Sequence, residues 1–369
     1  MKIAKILAGL LVIVLLLAGC EQTGGTLTSS PPASPGANSG TTADRGAVLY
    51  TIGDKSFYED DFRFWVIRAL EYAQVSAEGE IDWNESDGSG MTLADFVKNE
   101  AVQSSKVFKV VEDKAKELGL PLTAEEKDYL DNIRANVLTQ YFDNDLEMLE
   151  QYLNDYAMTD EMLRYQEEIP ILYNKIIDEI IGPGGEKISD GDILAWGAEN
   201  GVVRAKHILF KTKSDDRITP LSEDLIAFAK ETADNLYAEL SEISDRAQLL
   251  STYDIKMQDM SEDPGKISNP DGYQFMPGSM REAFTATVQG LDEYEISPPV
   301  DIEDGYSIML RLPLDPNMTV IDSSGGAAIL REMVAGIQMN DLIDAWTNEM
   351  SVEFTDAFNN IDLNKLLGK

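Results

Sequence analysis

His207 is the only histidine in the 369-residue chain, and it lies within the run "VRAKHILF" of residues 203–210. Alternation places His207 on the same strand face as Ala205 and Leu209. An imidazole is suited to acid–base chemistry near neutral pH, but a lone histidine among small and apolar neighbours is commonly a hydrogen-bonded structural residue. The residue types alone leave both interpretations open.

Three further residues have a structural and a functional interpretation. Asp263 precedes Pro264-Gly265, a combination typical of a turn. Met280 and Phe284 are four residues apart in a segment that is predicted to be a short helix, so they share one face of it. Such a pair lies more often in a core than in a ligand pocket.

The N-terminus predicts a secretory signal. Lys2 and Lys5 precede an apolar run over residues 6–18 that is too short to span a membrane. The tetrapeptide Leu-Ala-Gly-Cys at 17–20 resembles the bacterial lipobox, whose cysteine is lipidated and becomes the first mature residue. Cys20 is the only cysteine, so it forms no intrachain disulfide. We therefore expect a lipoprotein signal peptide over 1–20 and a chain anchored at the extracytoplasmic face of a bacterial membrane.

The rest of the chain divides by composition. Residues 21–47 are rich in Gly, Ser, Thr and Pro, which predicts a disordered tether. Residues 48–200 open with a short strand and continue as helices with recognisable starts at Thr92, Thr123 and Ser189. The loop that follows Asp82 does not meet the glycine and glutamate positions of a calcium loop, and we predict no metal site.

The pattern of predicted elements changes in residues 202–313. Strand-like runs, "VVRAKHILF" and "YSIMLRLPL", enclose a long helix, a loop with glycine and proline, and a short helix. This pattern predicts a small α+β module. An amphipathic helix in 316–369 needs a partner, and we expect it to pack back on the N-terminal helical domain, so that the module is inserted in a mostly helical domain.

Several spaced motifs resemble the extracytoplasmic parvulin-type foldases, which are PrsA-like lipoproteins with SurA-like chaperones as relatives. "RAKHILF" is similar to the first parvulin strand, "MSEDPGKISNPDGYQFMPGSMREAF" to the acidic loop and F-x-x-G-x-M segment, and "EISPPVDIEDGYSIMLRLPL" to the closing run. The resemblance implies a four-stranded antiparallel sheet with flanking helices.

The resemblance also implies a site. Met280 and Phe284 would line an apolar cup for a proline ring, and Phe275 would support it. His207 and Asp263 would belong to a polar network, in which the second histidine of the family is replaced by Ser307. Gly272 stands where many relatives have a leucine in the cup. We expect weak activity because the second histidine is missing.

The resemblance therefore implies a peptidyl-prolyl cis-trans isomerase that needs no cofactor and binds unfolded secreted proteins and their proline-containing segments. The alternative is a non-catalytic holdase chaperone with a degenerate parvulin scaffold. The formal charge of −36 argues against nucleic acid as a partner, and the βαβ alternation of a two-lobed solute-binding lipoprotein is absent. A homodimer stays open as an alternative to a monomer.

Overall fold

The computed structural model describes residues 45–77, 79–86, 90–155 and 158–369. The signal peptide, Cys20 and almost all of the tether lie outside the described residues. The chain divides into two compact units, Met1–Ile180 with Met339–Lys369 and Ile181–Gln338. The limits of the second unit therefore differ from those that we read from composition, which were 202 and 313.

A small sheet and several helices form the first unit. Its secondary structure elements are β1 (Val48–Ile52), β2 (Lys55–Tyr58), α1 (Glu59–Tyr72), α2 (Leu93–Glu117), α3 (Ala124–Tyr141), α4 (Leu146–Asp155) and α5 (Asp160–Ile180). Three short elements near the C-terminus belong to the same unit, namely β9 (Val352–Phe354), α11 (Asp356–Asn359) and α12 (Leu363–Leu366). The strands are ordered β2-β1-β9, so β1 is the central strand.

The helix starts predicted for the first unit are confirmed. Thr92 accepts a hydrogen bond from the backbone of Asp95 at the start of α2, and Thr123 forms a reciprocal capping box with Glu126 at the start of α3. These caps satisfy backbone N–H groups that have no partner within the helix. In the described part of the chain, no helix is long and apolar enough to cross a membrane.

The second unit is the α+β module. Its elements are α6 (Asp190–Glu199), β3 (Val203–Lys211), α7 (Glu223–Ser241), α8 (Arg246–Met260), β4 (Tyr273–Phe275), α9 (Glu282–Gly290), β5 (Val300–Asp301), β6 (Gly305–Leu312), β7 (Thr319–Ile321) and β8 (Ala327–Ile329). A single helix, α10 (Leu330–Glu349), follows β8, and the limit between the two units falls within it.

The sheet of the second unit is larger than predicted. Its order is β5-β6-β3-β4-β7-β8, and the pairing of β4 with β7 is parallel. The predicted four antiparallel strands are present as β5-β6-β3-β4, but the complete sheet is mixed rather than strictly antiparallel. The buried amide of Gln274 supports the extension, because it accepts a hydrogen bond from Asp315 N (2.8 Å) and donates one to Asp315 O (3.0 Å). This side chain holds the segment before β7 against the sheet.

The two faces of this sheet are covered by different helices. Ile208, Phe210 and Ile308 belong to the core formed with α7 and α8. Residues of the opposite face pack with α9 in a second core, which comprises Val203, Ala205, Leu209, Phe275, Phe284, Val288, Ile302 and Met309. Because side chains alternate along a strand, His207 of β3 belongs to the α9 face.

Candidate active site

Two neighbouring strands position His207 and Ser307. In the antiparallel pairing of β3 with β6, Leu209 is opposite Ser307 and His207 is opposite Met309. His207 and Ser307 are therefore diagonal neighbours on one face, a relation that allows contact. The imidazole Nδ1 lies 3.0 Å from Ser307 Oγ. Ser307 is fully buried, so the two side chains form a direct contact beneath the surface.

A pinned segment after α8 brings Asp263 to the other side of the imidazole. The N–H of Leu209 donates to Ser261 Oγ (3.1 Å), and the N–H of Glu262 donates to the carbonyl oxygen of Leu209 (2.8 Å). These bonds hold residues 261–263 alongside β3. Asp263 Oδ2 then lies 3.2 Å from His207 Nε2. The structure therefore brings together the three predicted polar residues, with His207 between Ser307 and Asp263.

Tyr273 is a fourth member of the network, and the sequence analysis missed it. Its hydroxyl donates to Asp263 Oδ2 at 2.8 Å. Gly265 makes this approach possible, since a Cβ at that position would lie 1.8 Å from the tyrosine oxygen. The only signal in the sequence is the alternation of Tyr273 with Phe275 along β4, and that alternation also fits a structural aromatic residue.

The hydrogen bonds determine the charge of Asp263. Burial alone would raise the pKa of Asp263, but the hydrogen bonds from His207, Tyr273 and the backbone of Gly265, with the attraction to His207, lower it to about 2. Burial and the hydrogen bond to Asp263 raise the pKa of Tyr273, so its hydroxyl keeps its proton. The carboxylate is thus ionised and can only accept hydrogen bonds.

The ionised carboxylate fixes the orientation of the imidazole hydrogen bonds. Because Asp263 only accepts, His207 Nε2 must carry the proton that lies between them. The other nitrogen, Nδ1, faces the hydroxyl of Ser307, which can donate to a neutral ring or accept from a charged one. Ser307 therefore satisfies the ring in either protonation state, and both nitrogens have partners in the protein.

A pocket of about 490 Å³ opens above this network. Met280 and Phe284 both line it, and the ring of Phe284 meets that of His207 edge-on with the centroids 5.2 Å apart. The remaining lining residues are His207, Leu209, Arg217, Asp263, Tyr273, Ser279, Arg281, Ile302 and Asp304. The pocket thus has an apolar wall and a hydrogen-bonded polar base.

Phe275 does not line the pocket. It is fully buried, and its ring centroid is 5.6 Å from that of Phe284. Phe275 therefore lies behind the wall and holds Phe284 in position, the supporting place that the family pattern implies for it.

Gly272, which the resemblance places where many relatives have a leucine, does not line the pocket. Its φ is +87°, and a Cβ there would lie 2.5 Å from the carbonyl oxygen of Ala205. A side chain at this position would clash with β3, and the residue is not part of the pocket wall. The structure places Leu209 and Ile302 in that wall instead.

Charged residues contribute to the pocket lining. Arg281 forms ion pairs with Glu303 (3.0 Å) and Asp304 (3.6 Å), and Arg217 is a further lining residue. In the described part of the chain, no group of three or more His, Cys, Asp or Glu side chains is arranged to hold a metal ion. The site is therefore suited to binding a compact apolar group next to polar atoms.

Comparison with known proteins identifies the class of this module. Residues 207–312 match the rotamase family model, described as the PPIC-type PPIASE domain. The match covers less than a third of the chain and contains all the residues of the site described above. The resemblance to parvulin-type foldases is thus confirmed for this domain. No curated protein matches the chain.

Solved structures that match the chain include PrsA and SurA-like proteins. PrsA from Bacillus subtilis is 21% identical and covers 73% of this chain and 92% of its own, with a TM-score of 0.25. PrsA from Bacillus cereus is 18% identical, with coverages of 80% and 100% and a TM-score of 0.30. A SurA-like chaperone of Campylobacter jejuni is 15% identical, with coverages of 86% and 98% and a TM-score of 0.25. The class of the domain follows from the family model.

Proposed function

We propose that the protein is a foldase whose second unit catalyses cis/trans isomerisation of peptidyl-prolyl bonds. The observation that carries this proposal is the pocket wall of Met280 and Phe284 directly above the paired His207 and Asp263, within the segment that matches the PPIC-type domain. A proline ring is a compact apolar group that such a wall can hold.

Prolyl isomerisation requires a site that binds the twisted amide and does not require a bond to be broken. Rotation about an amide bond has a barrier of about 18–20 kcal/mol, which arises from conjugation of nitrogen with the carbonyl group. A site that fits the twisted amide better than either planar isomer lowers this barrier without a nucleophile. In this proposal Phe284 and Met280 hold the ring, and the polar base fixes the peptide next to it.

The replacement of the second family histidine by Ser307 is expected to lower the rate of isomerisation. Its hydrogen bond to His207 keeps the imidazole oriented without a second ring. We propose that the network is shorter than in relatives but complete, and that activity is present and weak.

A proline-isomerisation assay on the full chain tests this proposal. We expect acceleration of an Xaa-Pro peptide that falls on His207→Ala, because the base of the pocket loses both hydrogen bonds. Ser251→Ala is the matched control, since Ser251 is exposed on α8 and its hydroxyl only bonds the carbonyl of Gln248 in its own helix. Wild-type protein that does not accelerate the reaction would refute the enzymatic proposal.

A holdase role is the second candidate, and the exposed apolar side chains of the first unit favour it. Tyr141 is 71% exposed and Leu146 is 61% exposed, and Tyr129 and Met148 are also exposed. Groups of exposed apolar residues mark surfaces that bind other proteins. Suppression of client aggregation should survive His207→Ala but weaken when Tyr141 and Leu146 are replaced by serine; equal suppression by all variants would contradict this role.

The site of action is part of the proposal. We propose that lipidation of Cys20 holds the protein at the extracytoplasmic face of the membrane, where its clients are unfolded secreted proteins. The sequence pattern around Cys20 supports this placement. Incorporation of a labelled fatty acid that is abolished in Cys20→Ser would bear it out, and unchanged labelling would refute it.

A further inference from the structure

A second cleft, of about 600 Å³, lies in the first unit and shares no lining residue with the isomerase pocket. One wall is a face of α2, and the other comprises β9 and the residues around it. The lining residues are Asp95, Lys98, Asn99, Val102, Gln103, Lys106, Met350, Val352, Phe354, Phe358 and Asn359. Nothing in the isomerase chemistry uses this cleft.

Lys106 is the unusual residue of the cleft. It is only 7% exposed, and among the described residues its ammonium has no hydrogen-bond or ion-pair partner. Other buried lysines are neutralised, since Lys109 pairs with Asp54 and Asp113 and Lys206 pairs with Asp254. Burial lowers the pKa of Lys106 because nothing offsets its desolvation. The chain has more than twice as many acidic as basic residues, so a mostly buried lysine that lines a cleft without a carboxylate partner differs from the other buried lysines.

A second lysine, Lys98, lies on the same side of α2 as Lys106. Lys98 precedes Lys106 by two turns of α2, with Val102 between them, so the two amines lie about 12 Å apart along the helix axis. Both line the cleft. The one carboxylate in the lining, that of Asp95, already accepts a hydrogen bond from the hydroxyl of Thr92 at 2.7 Å. The lining therefore holds two ammonium groups, those of Lys98 and Lys106, and one carboxylate, so positive charge is in excess.

The opposite wall is aromatic. Phe354 is 48% exposed although it is a large apolar side chain, and its ring centroid lies 4.5 Å from that of Phe358. Both residues belong to the cleft lining. Phe354 is in β9, the end strand of its sheet, and an end strand can pair with an added extended segment. These features favour a peptide with an apolar residue over a small polar anion.

We propose that this cleft binds an extended polypeptide segment in which a carboxylate lies next to an apolar side chain. The carboxylate pairs with the ammonium of Lys106, and the apolar side chain packs on Phe354 and Phe358. The inference rests on the holdase role for the peptide nature of the ligand, and it does not depend on isomerase activity. The carboxylate comes from an Asp or Glu side chain or from a chain terminus.

Binding of labelled peptides to the full chain, followed by fluorescence anisotropy, tests this proposal. The probes are a short peptide of Lys, Ser, Phe and Val with one central Glu and an amidated C-terminus, its Glu→Gln analogue, and that analogue with a free C-terminal carboxylate. We expect at least one carboxylate peptide to bind about tenfold more tightly than the amidated Gln peptide. If the Glu peptide binds more tightly, the carboxylate is that of a side chain. If the peptide with the free C-terminus binds more tightly, it is that of a chain terminus.

Two variants test whether Lys106 is responsible for the tighter binding of carboxylate peptides. Lys106→Met keeps the aliphatic stem and removes the charge, so it should fold and lose the preference. Lys116→Met changes an exposed lysine of the same helix outside the cleft and should keep it. If Lys106→Met does not fold, Lys98→Gln should reduce the preference in its place.

Two results would overturn the proposal. One is equal affinity of wild type for all three peptides, and the other is a preference that persists in Lys106→Met. Failure of the holdase role itself has a different signature, because none of the peptides would then bind and client aggregation would not be suppressed.

Discussion

Replacement of Asp263 by asparagine tests whether the network at the base of the pocket stabilises the fold through charge. The carboxylate receives hydrogen bonds from His207 Nε2 (3.2 Å), Tyr273 Oη (2.8 Å) and the N–H of Gly265 (3.1 Å). Asparagine has nearly the same shape but carries no charge and does not titrate. Its effect on stability should therefore depend on pH.

The expected loss of unfolding free energy follows from the pKa of Asp263, whose side chain is only 12% exposed. Burial opposes the charged form, but the hydrogen bonds prevail and lower the pKa from 3.8 to about 2. A difference of that size corresponds to about 2 kcal/mol of unfolding free energy. Because the pKa is lower in the folded state, this stabilisation is complete above the unfolded pKa near 4 and is lost as the pH falls towards about 2.

The assay uses the single histidine of the chain as a local reporter. Folded and unfolded NMR signals of the His207 ring, integrated in a urea series, report the unfolding free energy of this unit alone. We expect Asp263→Asn to be less stable than wild type by about 2 kcal/mol at about pH 6, and the gap to fall by about half near pH 3. Asp259→Asn, at an exposed position of α8, is the control and should stay within about 0.5 kcal/mol of wild type. A gap that does not change with pH would refute the assignment of a charged, hydrogen-bonded Asp263.

Three further substitutions test other parts of the site. Gly265→Ala places a methyl group against Tyr273, so isomerase activity should fall, whereas Gly290→Ala, which has open space around its Cβ position, should not change it; equal effects would contradict the close approach. Ser307→Ala leaves one imidazole nitrogen buried without a partner, so we expect a loss of about 1–3 kcal/mol in urea unfolding, and an unchanged midpoint would show that the hydrogen bond contributes nothing. Met280→Ala widens the pocket at a half-buried position, so kcat/KM for the prolyl peptide should fall about tenfold with little change in stability; unchanged kinetics would exclude this residue from the binding surface.

Strong local patterns made much of the fold predictable from the sequence. The capping residues Thr92, Thr123 and Ser189 begin helices as expected, and β3 and β6 coincide with the two strand-like runs. Helix α8 was missed because its buried residues are only Leu249, Tyr253 and Met257, one per turn. So sparse an apolar stripe gives little periodicity. Tyr253 nevertheless anchors the helix, since its buried hydroxyl donates to the carbonyl oxygen of Ile308 at 2.7 Å.

The strands β7 and β8 were missed for a different reason. Each has three residues, and the segment also contains Gly325 and Gly326, so no alternation can develop along it. The side chain of Gln274, which is distant in sequence, holds the segment before β7 against the sheet. A contact of this kind leaves no local signal, and the expectation of a purely antiparallel sheet was wrong for that reason.

The sequence could indicate residues of the site that belong to a family motif. It could not indicate a residue that only the three-dimensional structure brings to the site. The family pattern implied His207, Asp263, Met280 and Phe284, whereas nothing in the order of residues indicates that Tyr273 bonds to Asp263. The structure also shows which groups the lone histidine contacts. Ser307, where the family resemblance implies a second histidine, is in direct contact with His207.

These contacts limit what His207 can do in catalysis. Nε2 donates to an ionised Asp263 and Nδ1 is satisfied by Ser307, so neither nitrogen is available for a substrate unless a bond within the network breaks. Proton transfer to a peptide would therefore have to overcome a charge-assisted hydrogen bond in a buried setting. Rotation about a prolyl bond requires no proton transfer, and for that reaction a fixed ring is an advantage because it presents a constant surface to the amide. The arrangement that argues against His207 as an acid–base catalyst is thus the arrangement that suits an isomerase.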